Sequence, residues 1–154
     1  MKATLQTNER QYGGAVSDGN LSTLQFPVKT NAAGAVIGTG VATPLAANDI
    51  LDLGPLQEGL RLEDAQAIIK APIGGGSIKL GFAYEDGVDH ADVPQDDDYF
   101  GTFAGGTAAR VRTTAANGAV VLPKAARLIA TLAGATVADG EAVFIVTGEL
   151  TGPL

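Results

Sequence analysis

Residues 65–84 read AQAIIKAPIGGGSIKLGFAY and carry the clearest structural signal in the chain. From residue 77 to residue 84, apolar residues alternate with small or polar ones, a period of two that is typical of a strand with one buried face. A similar alternation runs over residues 65–71. Because the three glycines at 74–76 supply a turn, the segment predicts a β-hairpin. The apolar face of its second strand consists of Ile78, Leu80, Phe82 and Tyr84.

A second long hairpin is predicted near the C-terminus. Residues 127–133 lead to a turn signal at Asp139-Gly140, and residues 141–150 follow with apolar residues on both faces. A strand that is apolar on both faces is typical of a central position in a sheet. Pro27 predicts that strand 23–29 lies at an edge or is bulged, because proline cannot donate a ladder hydrogen bond. Shorter strands are predicted at 35–43, 48–53, 109–115 and 119–122, and we expect a loop from residue 56 and a strand that begins near Leu60.

About eight strands separated by turns predict an all-β fold, a β-sandwich or jelly roll. We therefore expect one jelly-roll-like domain over residues 23–154, in which the long hairpins 61–85 and 124–150 form corresponding halves. The first 20 or so residues are polar and contain glycine. We predict that residues 1–22 form an extended N-terminal arm that orders against another surface and is not part of the core.

Composition excludes several kinds of site. The 154 residues include no cysteine and one histidine, His90, which excludes disulfides, cysteine-ligated metals, a thiol nucleophile and a multi-histidine metal centre. No run of 18 apolar residues and no secretory signal occur, so we expect no membrane association. Most apolar residues are small, and small side chains bury less surface per ordered residue. We therefore expect the protein to gain stability by assembling on a partner or with copies of itself.

The net charge of −7 comes from one segment that carries seven acids and no base. An acidic protein with dispersed bases is a poor candidate for binding a phosphate backbone, so we expect no nucleic-acid partner. The segment fits no EF-hand register, and we interpret it as a solvated acidic surface, with a divalent-cation site as the alternative. No metal ligand is assigned. The seven acids are Glu85, Asp86, Asp89, Asp92, Asp96, Asp97 and Asp98.

Catalytic sets are sparse. His90 has acids nearby, but a general base needs a nucleophile, and no GxSxG elbow occurs in the chain. We interpret His90 as a solvated loop residue and assign no catalytic and no cofactor-binding residue. Arg110 and Arg112 would share one face of a strand. We expect that face to be solvated or to lie in an oligomer interface.

Four segments together resemble the small structural proteins of tailed-bacteriophage heads, the capsid cement or decoration proteins with jelly-roll-like folds. The resemblance implies a non-enzymatic virion protein, made in the host cytoplasm, on the outer surface of the capsid. It would bridge and stabilise subunits of the major capsid protein, as a homo-oligomer (dimer or trimer) at symmetry axes. The segments are NDILDLGPLQEGLRLEDA (48–65), KLGFAYE (79–85), DDYFGT (97–102) and LPKAARLIATLAGATVADGEAVFIV (122–146).

Two other functions stay open at this point. One is a carbohydrate- or receptor-binding β-module of a phage tail or fibre, which predicts exposed aromatics on a concave face. The other is a small β-sandwich enzyme that uses acids near His90. The aromatics that the binding module would expose are Tyr84, Tyr99, Phe100 and Phe103.

Overall fold

The structure, a computed structural model, describes residues 1–5, 21–113 and 115–151. These residues form ten β-strands in two sheets, which confirms the predicted all-β fold class. The strands are β1 (Lys2–Thr4), β2 (Leu21–Lys29), β3 (Ile50–Leu56), β4 (Leu60–Ala71), β5 (Ser77–Tyr84), β6 (Asp96–Ala104), β7 (Ala109–Arg112), β8 (Val120–Val121), β9 (Ala126–Leu132) and β10 (Glu141–Leu150).

The first sheet has the strand order β1-β3-β9-β5-β6, and the second has the order β2-β10-β4-β7, with β8 also paired to β4. Alternate residues of both sheets point into one shared core. This alternation is strict in β2 and β10, as the period-two pattern requires. The largest fully buried side chains include Phe26, Phe82, Phe103 and Phe144.

The two predicted long hairpins are wrong, because the strands of each lie in different sheets. Strand β4 belongs to the second sheet and β5 to the first, while β9 belongs to the first and β10 to the second. The glycine-rich turns are corners where the chain passes from one sheet to the other. A Cβ on Gly134 would lie 2.0 Å from the carbonyl oxygen of Gly75. The two corners therefore cross in backbone contact, which only glycine at this position permits.

The prediction that 61–85 and 124–150 form two halves of the sandwich is also wrong, because each segment contributes one strand to each sheet. Strand β4 pairs antiparallel with β10, and β5 pairs antiparallel with β9. The two segments thus form one long two-stranded ribbon that is folded over itself, with one half in each sheet. An isolated bridge between Gly74 and Thr136 continues the pairing through the corner.

Two positional predictions are confirmed. Strand β10 is central, between β2 and β4, and β2 with Pro27 lies at an edge of the path of the second sheet. The strand that follows the 57–59 turn begins at Leu60, as expected.

Two other segments differ from the prediction. Residues 35–43 form a loop, since Gly38 and Gly40 have positive φ values and the Asn31 carboxamide accepts hydrogen bonds from two backbone N–H groups. Residues 96–104 form strand β6, although the segment begins with three aspartates. Charged residues are tolerated there because β6 lies at an edge of the first sheet.

The first five residues are part of the domain, although residues 1–22 were predicted to form an arm outside the core. Strand β1 pairs in parallel with β3, and Ala3 and Leu5 are buried in the core. Residues 21 and 22 already belong to β2. The rest of the predicted arm, residues 6–20, lies outside the described residues, and for that segment the arm stays a prediction.

The described part of the chain contains no helix that could span a membrane.

Candidate interaction surfaces

The four aromatic side chains that the sequence placed on an exposed face are structural, which corrects that expectation. Tyr84, Tyr99, Phe100 and Phe103 are all at least nine-tenths buried. Phe82 makes edge-on ring contacts with Tyr84 and Tyr99 at centroid distances of 5.7 and 5.4 Å. Such contacts stabilise a packed cluster, and the rings offer no exposed platform on which a sugar could stack.

The hydroxyls of two of these tyrosines hold loops in place around a surface cleft. The Tyr84 hydroxyl donates to the Val93 carbonyl at 2.5 Å, and the Tyr99 hydroxyl donates to the Gly118 carbonyl at 2.6 Å. The Asn117 side chain donates in turn to the Tyr99 carbonyl. The cleft between the two loops has a volume of about 330 Å³. Residues 92–96 form one wall, residues 117, 118 and 120 form the other, and Phe82 and Tyr99 complete the lining.

The acids around this cleft differ in how well they are compensated. Asp97 and Asp98 lie 3.3 and 3.6 Å from the ammonium of Lys79. Lys124 hydrogen-bonds the Asp86 carboxylate, which lowers the pKa of that carboxyl, and its ammonium lies 4.5 Å from the centre of the Tyr84 ring. These lysines neutralise two ends of the acidic segment.

Three of the remaining acids of the segment have no ion-pair partner among the described residues. Asp89 accepts hydrogen bonds from the backbone N–H groups of Gln95 and His90, and these bonds lower its pKa. Burial raises the pKa of Asp96, because its carboxylate is partly withdrawn from water. Asp92 is exposed. The negative charge of this surface is therefore concentrated at residues 89–96, beside the cleft.

Carboxylate oxygens of Asp96, Asp97 and Asp98 lie within 4.8 Å of one another, a spacing that could suit a hard cation. The Lys79 ammonium already forms ion pairs with two of the three, Asp97 and Asp98. The spacing of the three carboxylates is thus compatible with a divalent-cation site. The Lys79 ammonium, however, would compete with a metal ion for two of them.

His90 is integrated into the loop by backbone contacts. Its Nδ1 accepts a hydrogen bond from the backbone N–H of Asp92 at 3.3 Å, and its own N–H donates to Asp89. In a catalytic triad the Nδ1 atom would instead donate to an orienting carboxylate. The arrangement seen here stabilises the loop conformation.

The structure contains a buried ion pair that the sequence pattern did not predict. On the outer face of the first sheet, the Arg127 Nε lies 3.0 Å from an Asp52 carboxylate oxygen, and the exposed fractions of the two side chains are 8% and 3%. Lys2 of strand β1 adds a second cation at 3.1 Å from Asp52. The available signal was a single charged residue inside each of two apolar strands, ILDL at 50–53 and ARLI at 126–129.

The outer face of the second sheet has an apolar centre and a charged perimeter. Val143 is in register with Pro27 on one side and with Ile68 on the other, and Ile68 is in register with Arg110. At one end Lys29 and Lys70 both pair with Glu141, and this pairing lowers the pKa of Glu141. At the other end, ion pairs join Arg61 to Glu63 and Glu149, and Arg112 to Asp64.

Arg110 and Arg112 share the exposed face of β7, as the sequence predicted. Arg112 pairs with Asp64, whereas Arg110 donates to the neutral carboxamide of Gln66 at 3.0 Å. The two arginines thus differ in charge compensation although they lie on the same strand face.

Comparison with known proteins yields one likeness in fold. No protein-family model matches the chain, and no curated protein matches it. Among solved structures, a chain of the structure titled "Capsid of Ralstonia phage GP4" is similar, with a TM-score of 0.69 and 13% sequence identity. The match covers 100% of this chain and 100% of that chain. At this identity the likeness concerns the fold.

Proposed function

We propose that this protein is a structural component of a tailed-phage capsid, and that it acts as a cement or decoration protein on the outer surface. In this role it bridges neighbouring subunits of the major capsid protein and stabilises the shell. The observation that carries the proposal is the full-length likeness in fold to a chain from a phage capsid. A full-length match supports a common architecture better than a match to one sheet or one motif would.

The form of the domain supports a docking role. The aromatic residues of the described ranges are buried in an internal core, so the domain has the means to fold before it meets a partner. The outer face of the second sheet offers an apolar centre (Pro27, Val143 and Ile68) inside a ring of charges that, apart from Arg110, form ion pairs with one another. An apolar centre with a polar rim is the usual anatomy of a protein interface. This face is our candidate for the contact with the capsid.

The proposal includes no catalytic step. The side chains of Asp89 and His90 are engaged in loop hydrogen bonds that stabilise the fold. A cement protein works by binding alone, and many weak copies on one shell add up to a large total stabilisation.

The test is a reconstitution on phage shells that lack the protein. Purified protein is added to intact shells, its binding is measured by co-sedimentation, and the disruption temperature of the shells is measured by light scattering. We expect saturable binding to the intact particle and a higher disruption temperature. Saturable binding without a rise in that temperature would remove the cement role, and binding only to broken shells would place the protein inside.

A matched variant identifies the docking face. Val143→Glu places a charge in the apolar centre of the outer face of the second sheet, and Thr102→Glu places the same charge on the outer face of the first sheet. We expect the Val143 variant to lose shell binding and the Thr102 variant to keep it. The reverse pattern would assign the contact to the other sheet.

A further inference from the structure

One arginine, Arg110, differs from the other described lysines and arginines in its charge environment. Of the nine lysines and arginines in the described residues, eight lie within ion-pair distance of a carboxylate, and Arg110 is the exception. Its side chain is exposed on the edge strand β7 and contacts Gln66. An exposed guanidinium can form a stronger, charge-assisted contact with a carboxylate.

The uncompensated carboxylates are concentrated beside the cleft. Within the described ranges, five acids have no ion-pair partner, and three of the five are Asp89, Asp92 and Asp96. Asp92 and Asp96 both line the cleft of about 330 Å³. Gln95 and Asn117 also line the cleft, and their side-chain amides are held by hydrogen bonds to the backbone of Tyr84 and Tyr99, so the two carboxylates are the groups that suit a guanidinium.

Arg110 and the cleft lie on the same side of the sandwich but toward opposite ends. Strands β6 and β7 are edge strands of the two sheets, and the Thr113 hydroxyl, just after β7, donates to the Phe100 carbonyl in the middle of β6. Strand β6 is bulged there: Gly101 is in register with Leu80 and Asp96 with Phe82, so Asp96 lies only about two residues of rise beyond that level. Arg110 lies three residues away in the other direction. The two are thus roughly 15 Å apart along the strands and about 10 Å apart between the sheets, which is farther than their side chains reach within one molecule.

We propose that the side formed by β6 and β7 is a self-complementary contact surface for a second copy of this chain. The two-fold axis lies in this surface and runs roughly across the strands, from one sheet toward the other. It exchanges the end that carries Arg110 with the end that carries the cleft. It brings Arg110 of each copy to the acidic cleft of the other, so the same pairing forms twice. The guanidinium enters the cleft and binds Asp92 and Asp96. The proposal concerns self-association and does not depend on the capsid role.

The experiment is sedimentation equilibrium of the full chain at low salt, at concentrations up to about 200 µM. We expect a monomer–dimer equilibrium that shifts toward monomer as salt rises, because the contact depends on charge. Arg110→Glu raises the dissociation constant at least about tenfold, since one substitution removes both symmetric contacts. Lys29→Glu is the matched control: it makes the same charge change on the opposite edge strand, β2, and leaves the dissociation constant unchanged.

The charge swap distinguishes this contact from a general effect of net charge. Asp92→Lys alone weakens the dimer, and the double variant with Arg110→Glu and Asp92→Lys dimerises more tightly than either single variant. Circular dichroism confirms that each variant is folded. An unmodified protein that stays monomeric, a trimer, an Arg110→Glu variant that still dimerises, or a charge swap that restores nothing would each overturn the proposal.

Discussion

Asp52 and Arg127 show how a charged pair is accommodated in strands that otherwise pack apolar side chains. The pair lies almost out of water, in contact with Lys2 of strand β1 and at 3.8 Å from Glu85. Removal of one member of such a pair leaves a desolvated charge and is costly, whereas exposed pairs contribute little. The pair also connects β3, β9 and the first strand of the chain, so it links three strands of the first sheet.

Asp52→Asn is expected to lower the free energy of unfolding by about 3 kcal/mol, because the buried Arg127 guanidinium loses a carboxylate that is equally buried and only 3.0 Å away. The measurement is urea unfolding followed by circular dichroism. Asp64→Asn is the matched control, since its partner Arg112 is 74% exposed, and we expect a loss below about 1 kcal/mol. Equal losses for the two variants would contradict the assignment of Asp52 as a buried structural charge.

Asp96 gives a pH prediction of the opposite sign from most acids. Because burial raises its pKa in the folded protein above the ordinary value of 3.8, the folded state binds this proton more readily than the unfolded state does. Its contribution to stability therefore falls as pH rises from about 3.8 through the raised pKa. At neutral pH the carboxylate destabilises the fold, and Asp96→Asn removes that effect.

We therefore expect Asp96→Asn to be more stable than the unmodified protein at pH 7, and the difference to disappear below pH 3.8, where both states are protonated. Thermal unfolding at about 1 µM, where self-association is weak, measures this. Asp97→Asn is the neighbouring control, and we expect no gain because Asp97 has an ion pair with Lys79. An Asp96 variant that is less stable at pH 7 would show that the hydrogen bond from the Asp98 N–H to the carboxylate outweighs the effect of burial.

At the scale of elements, the corners between sheets decide the topology. Residues 72–76 and 133–140 connect strands of different sheets, and they cross at Gly75 and Gly134. A Cβ at position 134 would meet a backbone oxygen that cannot move without shifting the other corner. At position 75 a Cβ would have no heavy atom within 4 Å.

Gly134→Ala is expected to destabilise the protein by roughly 3 kcal/mol, at the upper end of the cost of overpacking. Gly75→Ala, in the same crossing, should change stability by less than about 1 kcal/mol and could stabilise the fold by restricting the unfolded chain. Chemical unfolding of the two variants side by side makes the comparison. If both are equally harmless, the corners do not cross in backbone contact.

Strand β1 gives a second prediction at this scale. Although it has three residues, it is followed by Leu5, which is 1% exposed and whose N–H donates to the Asp52 carbonyl. Leu5→Ala should lower the free energy of unfolding by about 2–5 kcal/mol, as for other buried leucines. The exposed Leu21 at the start of β2, 65% exposed, is the control, and Leu21→Ala should cost little. A negligible loss for Leu5→Ala would mean that β1 is not docked in solution.

At the scale of the whole molecule, the docked β1 changes how the predicted arm must be tested. Deletion of residues 1–20 removes the buried Ala3 and Leu5 together with the intervening segment, so a loss of shell binding could reflect a damaged fold. Replacement of residues 7–19 by a glycine–serine segment of equal length keeps β1 in the chain. If residues 6–20 reach a neighbouring capsid subunit, this variant has native stability but weaker shell binding in the co-sedimentation assay. Undiminished binding would reject a role for the arm.

What the sequence by itself determined is local. The period-two alternation, turn chemistry and Pro27 established that the chain is all-β, that 77–84 is a strand with one buried face, that β10 is central and that β2 lies at an edge. The sequence also shows directly that seven of the acids lie in residues 85–98, which contain no lysine or arginine. These properties depend on neighbours along the chain, and such neighbours are visible in sequence.

The tertiary structure alone decided which strands pair and which groups meet. The glycines at 74–76 are equally compatible with a hairpin and with a corner between sheets, and the choice depends on where both strands bury their apolar faces. The buried aromatics, the Asp52–Arg127 pair and the position of Arg110 at the far end of the acidic side follow from contacts between residues distant in sequence. Such contacts are selected by burial and register in three dimensions, and no spacing along a single chain encodes them.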